Sequence, residues 1–284
     1  MTLFLLQLRN ELWKLFAKKR TYIGFGMFLV AQNAMLLGFH FGKGWRNYYE
    51  RMLAGNGYLV QDYISALTVA LIMLYPQILL LMPLYVTLVG GDLVAKEAED
   101  GTLRMILSRP ISRVRLLLVK WFAGIIFAAV LVMALGVIAL GFARIYFPWK
   151  GMFIFGQTQT DSLFGLFPPG EGLALYAFAH LFMAVNAIAM LSVAFMFSSF
   201  NMKPAAATIL ALSFLFVNMV MQHIPFFEDY RSWFITHHFE CWFLVFQKPM
   251  PWARILESES VLAAVCTTAF VIGCTVFYVR DIKS

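Results

Sequence analysis

Residues 66–91 read ALTVALIMLYPQILLLMPLYVTLVGG, and no charged side chain interrupts this apolar run. A helix needs about 20 such residues to cross the hydrocarbon core of a bilayer, so this run is long enough to span it. Pro76 and Pro83 share one helical face and are expected to kink the helix. Further apolar runs of spanning length occupy residues 22–41, 119–147, 172–197, 204–224 and 260–279. The sequence therefore predicts an all-α polytopic membrane protein, with six spans in a single transmembrane domain over residues 1–284.

The composition supports the same class. Hydrophobic residues make up 61% of the chain and charged residues only 13%, whereas a soluble domain carries about 25% charged residues. This shortage of charge excludes a water-facing globular surface, so the expected surroundings are a lipid bilayer. The net charge is +7. An excess of basic residues on one side of the spans accounts for this charge, so no nucleic-acid partner is predicted.

Basic residues predict the orientation of the spans, because cytoplasmic loops of membrane proteins carry an excess of Lys and Arg. One side of the predicted bundle holds Arg9, Lys14, Lys18, Lys19, Arg20, Lys96, Arg104, Arg109, Arg113, Arg115, Lys120, Lys203, Arg280 and Lys283. The basic residues of the other side are fewer and lie in longer loops, where acidic residues outnumber them. The first side is therefore predicted to be cytoplasmic, and both termini lie on it.

The first twenty residues form an amphipathic pattern. Apolar residues recur at helical spacing at Leu5, Leu8, Leu12, Leu15 and Phe16, with charged residues on the other faces. Such a helix is expected to lie in the membrane interface before the first span begins. The alternative is an extension of that span.

The segment between the second and third spans reads GGDLVAKEAEDGTLRMILSRPISR over residues 90–113. Residues 100–102 form a turn and a helix start, with Asp100 or Thr102 as the cap. An apolar stripe follows at Leu103, Ile106 and Leu107, and Pro110 ends the short helix because it lacks a backbone donor. Ser112 is then placed to cap the next helix. Taken by itself, this segment is also consistent with an ordinary basic loop.

The pattern Gly91-Asp92, Glu97-x-Glu99-x-Gly101-Thr102-Leu103, then Leu107-Ser108-x-Pro110-Ile111-Ser112-Arg113 and a later Lys120 resembles the signature of ABC-2-type transporter permeases. It falls between the second and third spans, where that family carries it. The resemblance implies the permease half of a bacterial ABC transporter in the inner membrane, and more often an exporter. It also implies dimerisation with a second copy or a homologous permease, and two copies of a separate ABC ATPase subunit.

The same resemblance implies that this segment contains a short cytoplasmic coupling helix that docks on the ATPase subunit. The apolar stripe would seat in a cleft of the partner, and charged residues would set the register. The alternative for Asp92 and Glu97 is an internal role, in which they hold the preceding helix in place. The residues assigned to coupling are Asp92, Glu97, Glu99, Gly101, Thr102, Leu103, Arg104, Ile106, Leu107, Pro110 and Arg113.

The chain contains no Gly-x-x-x-x-Gly-Lys-Ser/Thr motif, so it lacks the loop that cradles nucleotide phosphates. It is therefore not expected to act as an enzyme by itself. No cofactor is expected in this chain, and ATP and Mg would be bound by the partner ATPase subunit.

Polar residues inside spans are candidates for a translocation path. They are Gln32, Asn33, Gln77, His180, Asn186, Asn218 and Gln222. The alternative is that each one only bonds helix to helix. Since no acidic or basic residue lies near the middle of a span, an external energy source and an amphipathic, lipid-like, peptide or drug-like substrate are favoured. Ala207 and Ala211 are spaced to permit close helix approach in a dimer.

The loop at 225–259 is long and aromatic, and short outer helices within it are expected to form either a lid or an interfacial anchor. It contains His237, His238, Glu240 and Cys241, which are residue types compatible with a metal. We expect no metal site, because nothing else in the sequence favours one. The three cysteines do not make a disulfide framework.

Three other functions are consistent with parts of the sequence. An ion-coupled secondary carrier would need a buried ionisable relay, which the spans lack. An intramembrane enzyme would need paired catalytic residues at membrane depth, and His180 has no evident partner. A membrane anchor that recruits an ATPase without transport would use the same docking segment, so the sequence does not exclude it.

Overall fold

The computed structural model describes residues 2–55, 57–108, 111–157 and 162–280. The chain is 82% helical with almost no sheet, which confirms the all-α class. The helices are α1 (Thr2–Ala17), α2 (Lys19–Phe41), α3 (Lys43–Gly55), α4 (Val60–Tyr63), α5 (Ala66–Pro76), α6 (Met82–Glu99), α7 (Thr102–Leu107), α8 (Arg113–Tyr146), α9 (Pro169–Ser198), α10 (Pro204–Met221), α11 (Ile235–His238), α12 (Cys241–Leu244) and α13 (Trp252–Val279).

Within the described residues, six helices are long and apolar enough to cross a bilayer, which confirms the predicted number. They are Thr21–Phe41, Ala66–Glu99, Arg113–Tyr146, Pro169–Ser198, Pro204–Met221 and Trp252–Val279. Several extend well beyond the apolar runs, because a helix keeps its backbone hydrogen bonds after the side chains turn polar. The second span therefore reaches Glu99 and carries its last turns into the charged segment.

The second span is continuous through its two prolines. A π-helical turn, Gln77–Leu81, joins α5 to α6. Pro76 ends α5 immediately before this turn, and Pro83 stands in the first turn of α6. A proline removes one backbone donor and its ring crowds the preceding turn, and a wider π turn accommodates both effects.

The spans are assembled around α9, which contacts α6, α8, α10 and α13. Its inward face carries small residues, including Ala187, Ala189 and Ala194, all fully buried. Small side chains let neighbouring helices approach closely where lipid supplies no hydrophobic driving force between them. A Cβ atom added at Gly90 of α6 would lie 2.8 Å from the Leu191 carbonyl oxygen of α9, so this crossing requires glycine.

The N-terminal helix α1 is separate from the first span. Lys18 adopts an extended conformation between them, and the Thr21 hydroxyl donates to the Leu15 carbonyl across the junction at 2.7 Å. Leu15 is buried, and Leu8 and Phe16 pack against the core with it. The predicted helix is therefore present, and it is not an extension of the span.

A short β-hairpin, which the sequence analysis did not predict, lies between the third and fourth spans. Strands β1 (Met152–Gln157) and β2 (Ser162–Phe167) are antiparallel, with Ile154 opposite Gly165. The backbone N–H of Phe153 donates to the Thr68 hydroxyl of α5 at 2.9 Å. This bond fixes the hairpin to the start of the second span.

Residues 225–246 form what we call the outer segment, which begins with a 3-10 helix at Pro225–Trp233 and continues through α11 and α12. Phe226 and Trp233 are exposed, as an interfacial anchor requires, but Trp242, Phe243 and Phe246 are buried. The predicted outer helices are therefore present, and the second half of the segment is inserted among the spans.

Candidate functional site

The segment that joins the second and third spans turns sharply at Gly101, whose φ of +73° is a conformation that favours glycine. Gly101 occupies the cap position of α7 and provides no side-chain bond. The expectation of an Asp100 or Thr102 cap is thus wrong, and the Thr102 hydroxyl instead donates to the Glu97 carbonyl at 3.2 Å. Pro110 lies outside the described residues.

The start of α8 matches the prediction. The Ser112 hydroxyl accepts a hydrogen bond from the Arg115 N–H at 3.3 Å, as expected for a capping serine.

The apolar stripe of α7 faces the protein's own core. Leu103 is 2% exposed, and Ile106 and Leu107 are partly buried against the same core. Leu103 is therefore covered by the chain itself and is not available to a partner's cleft, whereas Ile106 and Leu107 keep part of their surface exposed. The outward face of α7 carries Arg104 and Met105, and Met105 is 66% exposed.

Glu97 belongs to a buried charge cluster, which we define as Glu11, Lys14, Glu97 and Lys120. The Lys120 ammonium is 1% exposed and lies 3.0 Å from a Glu11 carboxylate oxygen and 2.8 Å from one of Glu97. Lys14 reaches the same two carboxylates at 2.6 and 3.3 Å. The cluster joins α1, α6 and α8, so Glu97 takes the internal role that was the alternative at the sequence level.

The electrostatics of the cluster favour the charged forms of Glu11 and Lys14. Burial by itself would raise the pKa of Glu11, but the Lys120 and Lys14 ammonium groups hold that pKa below its usual value. Burial would likewise lower the pKa of Lys14, but Glu11 and Glu97 keep it above its usual value. For these two groups the opposite charges nearby therefore outweigh the cost of burial.

Arg113 also has an internal role. Its guanidinium donates to the carbonyls of Tyr278 at 2.8 Å and Arg280 at 2.9 Å, at the end of α13. A cation at this position satisfies the unpaired carbonyls of a helix terminus and complements its dipole. Arg113 thereby joins the end of the last span to the start of the third span by hydrogen bonds. Glu99 remains exposed and pairs with Lys96 at 2.7 Å.

Asp92 is buried near a close contact between α6 and α9. The Ser198 hydroxyl donates to the Gly91 carbonyl at 2.6 Å and accepts from the N–H groups of Val94 at 3.0 Å and Ala95 at 2.9 Å. The Ser198 hydroxyl thus joins α9 to residues 91–95 of α6, ahead of the end of that helix at Glu99. No sequence pattern pointed to Ser198, since serine is common in membrane helices and its partner is distant in the chain.

Four of the predicted path residues do not line a common cavity. The Gln32 amide donates to the Leu135 carbonyl at 3.3 Å, which joins the first and third spans. Asn33 and Gln77 bond to carbonyls of their own helices. The His180 Nδ1 lies 2.6 Å from the Tyr176 carbonyl, and its ring fills the space beside Gly136. These contacts favour the packing alternative for all four residues.

A cavity of about 820 Å³, which we call the lateral cavity, lies between the second and fifth spans. Asn186 and Gln222 line it, and Asn218 lies one turn before Gln222 on α10. Its lining is Tyr75, Ile78, Leu79, Pro83, Asn186, Met190, Leu215, Phe216, Met219, Val220, Gln222, His223, Ile224, Thr236, Phe239, Glu240, Trp242 and Phe243.

The remaining three path residues also hold the outer segment in place. The Asn186 amide donates to the Phe239 carbonyl at 2.8 Å, and Gln222 accepts from the Thr236 hydroxyl at 2.9 Å. Asn218 accepts from the Ile235 N–H at 3.4 Å. The outer segment therefore closes one side of the lateral cavity through three separate spanning residues.

The residues of metal-compatible type in the outer segment have other partners. His238 lies 3.2 Å from the Ser258 hydroxyl and 2.9 Å from the Ser232 carbonyl, while the Cys241 thiol donates to Glu259 at 3.1 Å. Burial, followed by the nearby Glu259 carboxylate, raises the pKa of the Cys241 thiol. Within the described part of the chain, no three His, Cys, Asp or Glu side chains are grouped to hold a metal ion. Glu240 lines the lateral cavity and also a smaller pocket that it shares with His237, His238, Cys241 and Arg254.

Ala207 and Ala211 are both fully buried in the chain's own core. Ala211 packs with Val193 and Ala194 of α9, and Thr208 lies against Gly91 of α6. This corrects the suggestion that the pair permits close approach of a second copy, because their small surface already serves an intramolecular contact.

The family model described as ABC-2 family transporter protein matches residues 16–228. The matched range includes five of the six spans and the whole of the 92–113 segment. None of the curated proteins matches the chain.

Proposed function

The chain belongs to the ABC-2 transporter family, and on that premise we propose that this ABC transporter permease is one half of an ATP-driven exporter in a bacterial inner membrane. It is a multi-pass transmembrane component, and the ATPase of such a transporter is a separate subunit. The proposal extends this to two permease copies that enclose a path, two ATPase subunits, and both termini in the cytoplasm.

The observation that carries the proposal is the arrangement around α7. This short helix presents Arg104 and Met105 outward, while Leu103 anchors it to the core. The preceding helix is joined to α1 and α8 through the buried charge cluster. A rigid element that is exposed on one face and tied to two long helices can pass a partner's movement to the spans.

The expected docking contacts therefore differ from those suggested by the sequence. Arg104 and Met105 would contact the ATPase subunit, with Glu99 and Thr102 at the edge of the contact. Gly101, Leu103, Ile106, Leu107 and Glu97 would support the helix from within, and Asp92 and Arg113 would hold the flanking helices. Release on the outer side would follow re-orientation of the spans, driven by ATP and Mg bound in the partner.

Co-purification with the candidate ATPase subunit tests the proposal. The chain is co-expressed with the phosphate-loop protein of the neighbouring reading frame and captured through a tag. We expect Arg104→Glu and Met105→Glu to reduce the recovered ATPase at least about tenfold, as expected when central contacts of an interface are lost. The matched controls are Arg51→Glu and Phe226→Glu, which change exposed residues elsewhere.

The result that contradicts the proposal is full recovery of the ATPase with both α7 variants. Leu103→Asp is not informative here, because it places a carboxylate in the core and is expected to unfold the chain. If the ATPase is recovered but reconstituted vesicles show no ATP-dependent movement of any substrate, the membrane-anchor alternative replaces the transporter.

A further inference from the structure

The lateral cavity has two chemically different ends. Toward the inner turns of its walls lie Pro83, Met190 and Leu215, which are apolar. Toward the outer segment lie Gln222 and Glu240. Leu215 and His223 both belong to the wall formed by α10 and its end, and eight helical residues rise about 12 Å. The cavity therefore has an apolar portion and a polar portion separated by roughly the length of a short alkyl chain.

The polar end combines a carboxylate with aromatic rings. Glu240 lines the cavity together with Tyr75, Phe239, Trp242 and Phe243, and the ring centroids of Tyr75 and Trp242 are 6.2 Å apart. Among the described residues that line the cavity there is no Lys or Arg. Aromatic faces attract cations through their ring quadrupoles, and quaternary ammonium groups are recognised in this way. An anionic head group would find His223 in the described lining but neither a lysine nor an arginine.

The cavity is also accessible from the side of the bundle. Leu79 in the π turn is 57% exposed, and Val220 on the opposite wall is exposed as well. Both belong to spans, so an amphiphile dissolved in the bilayer would reach the cavity without crossing water. A volume of about 820 Å³ falls in the range of pockets that enclose drug-sized ligands.

We propose that the lateral cavity binds an amphiphile with a tertiary or quaternary ammonium head group, which enters from the bilayer. The ammonium lies among the aromatic rings beside Glu240, and the apolar tail extends toward Pro83 and Leu215. A second copy of this chain is a less suitable occupant, because the polar groups are recessed at one end of a concave space. This inference deepens the proposed function by naming its substrate class, and it rests on that function only for the statement that the bound molecule is transported.

Binding to the purified chain in nanodiscs of uncharged lipid, without an ATPase subunit, tests the site itself. The probes share one chain length and differ in head group: dodecyltrimethylammonium, dodecanol and dodecanoate. We expect the ammonium to bind at least about tenfold more tightly than dodecanol, as a desolvated cation–π site allows. Dodecanoate is expected to bind more weakly than dodecanol.

Two variants with matched controls locate the site. Leu79→Trp fills the cavity from its open side and is expected to reduce ammonium binding at least about tenfold. Leu80→Trp changes an adjacent side chain that is 54% exposed and does not line the cavity, and it should bind as the wild type does. Glu240→Gln is expected to abolish most of the preference for the ammonium over dodecanol, whereas Glu228→Gln, at an exposed carboxylate of the outer segment, leaves it intact.

Equal binding of all three probes, or equal effects of Leu79→Trp and Leu80→Trp, would overturn this assignment. A change from dimer to monomer in Leu79→Trp, without ammonium binding by the wild type, would assign the surface to a second copy instead. The binding experiment contains no ATPase subunit. A negative binding result therefore does not contradict the co-purification result. Failure of co-purification likewise leaves the binding result standing.

Discussion

At the residue scale, Lys120 has the most unusual surroundings in the described part of the chain. Its ammonium is buried and contacts two carboxylates that come from α1 and α6. Removing a charge from water is costly, and here close contacts offset that cost. If the ammonium is removed, Glu11 and Glu97 remain partly buried with only the half-exposed Lys14 between them.

Lys120→Met is therefore expected to destabilise the protein by about 3 kcal/mol, because it removes the buried partner of two carboxylates and leaves them only the half-exposed Lys14. The control is Lys150→Met, which removes an exposed pair with Asp62 at 3.1 Å and is expected to change stability by less than about 1 kcal/mol. Thermal unfolding of both variants in the same detergent measures the difference. Equal stability of the two variants would show that the buried cluster contributes nothing.

At the element scale, the end of the second span depends on a side chain from another helix. In a regular helix the Ala95 N–H donates to the Gly91 carbonyl, and the Ser198 hydroxyl bonds to both of these groups. It is therefore a second partner for backbone groups that α6 can pair within its own ladder. The stretch of α6 at residues 91–95, ahead of its end at Glu99, is thus bonded to α9, the central span.

Ser198→Ala is expected to increase amide exchange at Val94 and Ala95 and to cost about 1–3 kcal/mol, because it removes the hydroxyl that pairs two buried donors. The neighbouring Ser199 is the matched control. It is equally buried, but its hydroxyl bonds only to the Phe195 carbonyl of its own helix at 3.0 Å. Hydrogen exchange followed by mass spectrometry distinguishes the two variants. Unchanged exchange at residues 94–95 in Ser198→Ala would show that α6 closes its own ladder without the serine.

At the scale of the whole molecule, the hairpin and the outer segment are in contact with each other beside the spans. Phe243 of the outer segment lines the lateral cavity and also lies against Gly156 of the hairpin. The Lys248 ammonium stands 4.7 Å from the centre of the Phe167 ring and pairs with Glu171 at 2.6 Å. Movement of the hairpin would therefore be transmitted to the wall of the cavity.

Gly156→Ala is expected to destabilise the protein by about 1–3 kcal/mol, since overpacking forces side chains out of their preferred positions. A Cβ atom at this position would lie 2.4 Å from Cζ of Phe243. Gly170→Ala serves as the control, because a Cβ atom there meets nothing within 4 Å. Thermal unfolding measures both. A Gly156→Ala variant as stable as Gly170→Ala would mean that Phe243 moves aside without cost.

Much of the fold was predictable because it follows from local sequence. Apolar runs such as 66–91 identify the spans by length and composition alone, and the Ser112 cap and the short helix at Thr102–Leu107 follow from residues next to each other in the chain. The 92–113 pattern also sufficed to identify the family, which the match over residues 16–228 confirms.

The tertiary structure decided which side of each element faces inward. Periodicity identifies an apolar face but not what covers it, so Leu103 was assigned to a partner although its own core buries it. The same limit applies to polar residues: Gln32 and His180 became packing contacts, whereas Glu240 joined a cavity whose walls come from three separate spans, the first of them at residues 75–83. Sequence spacing encodes neighbours within a helix, but the packing of six helices determines which distant side chains meet.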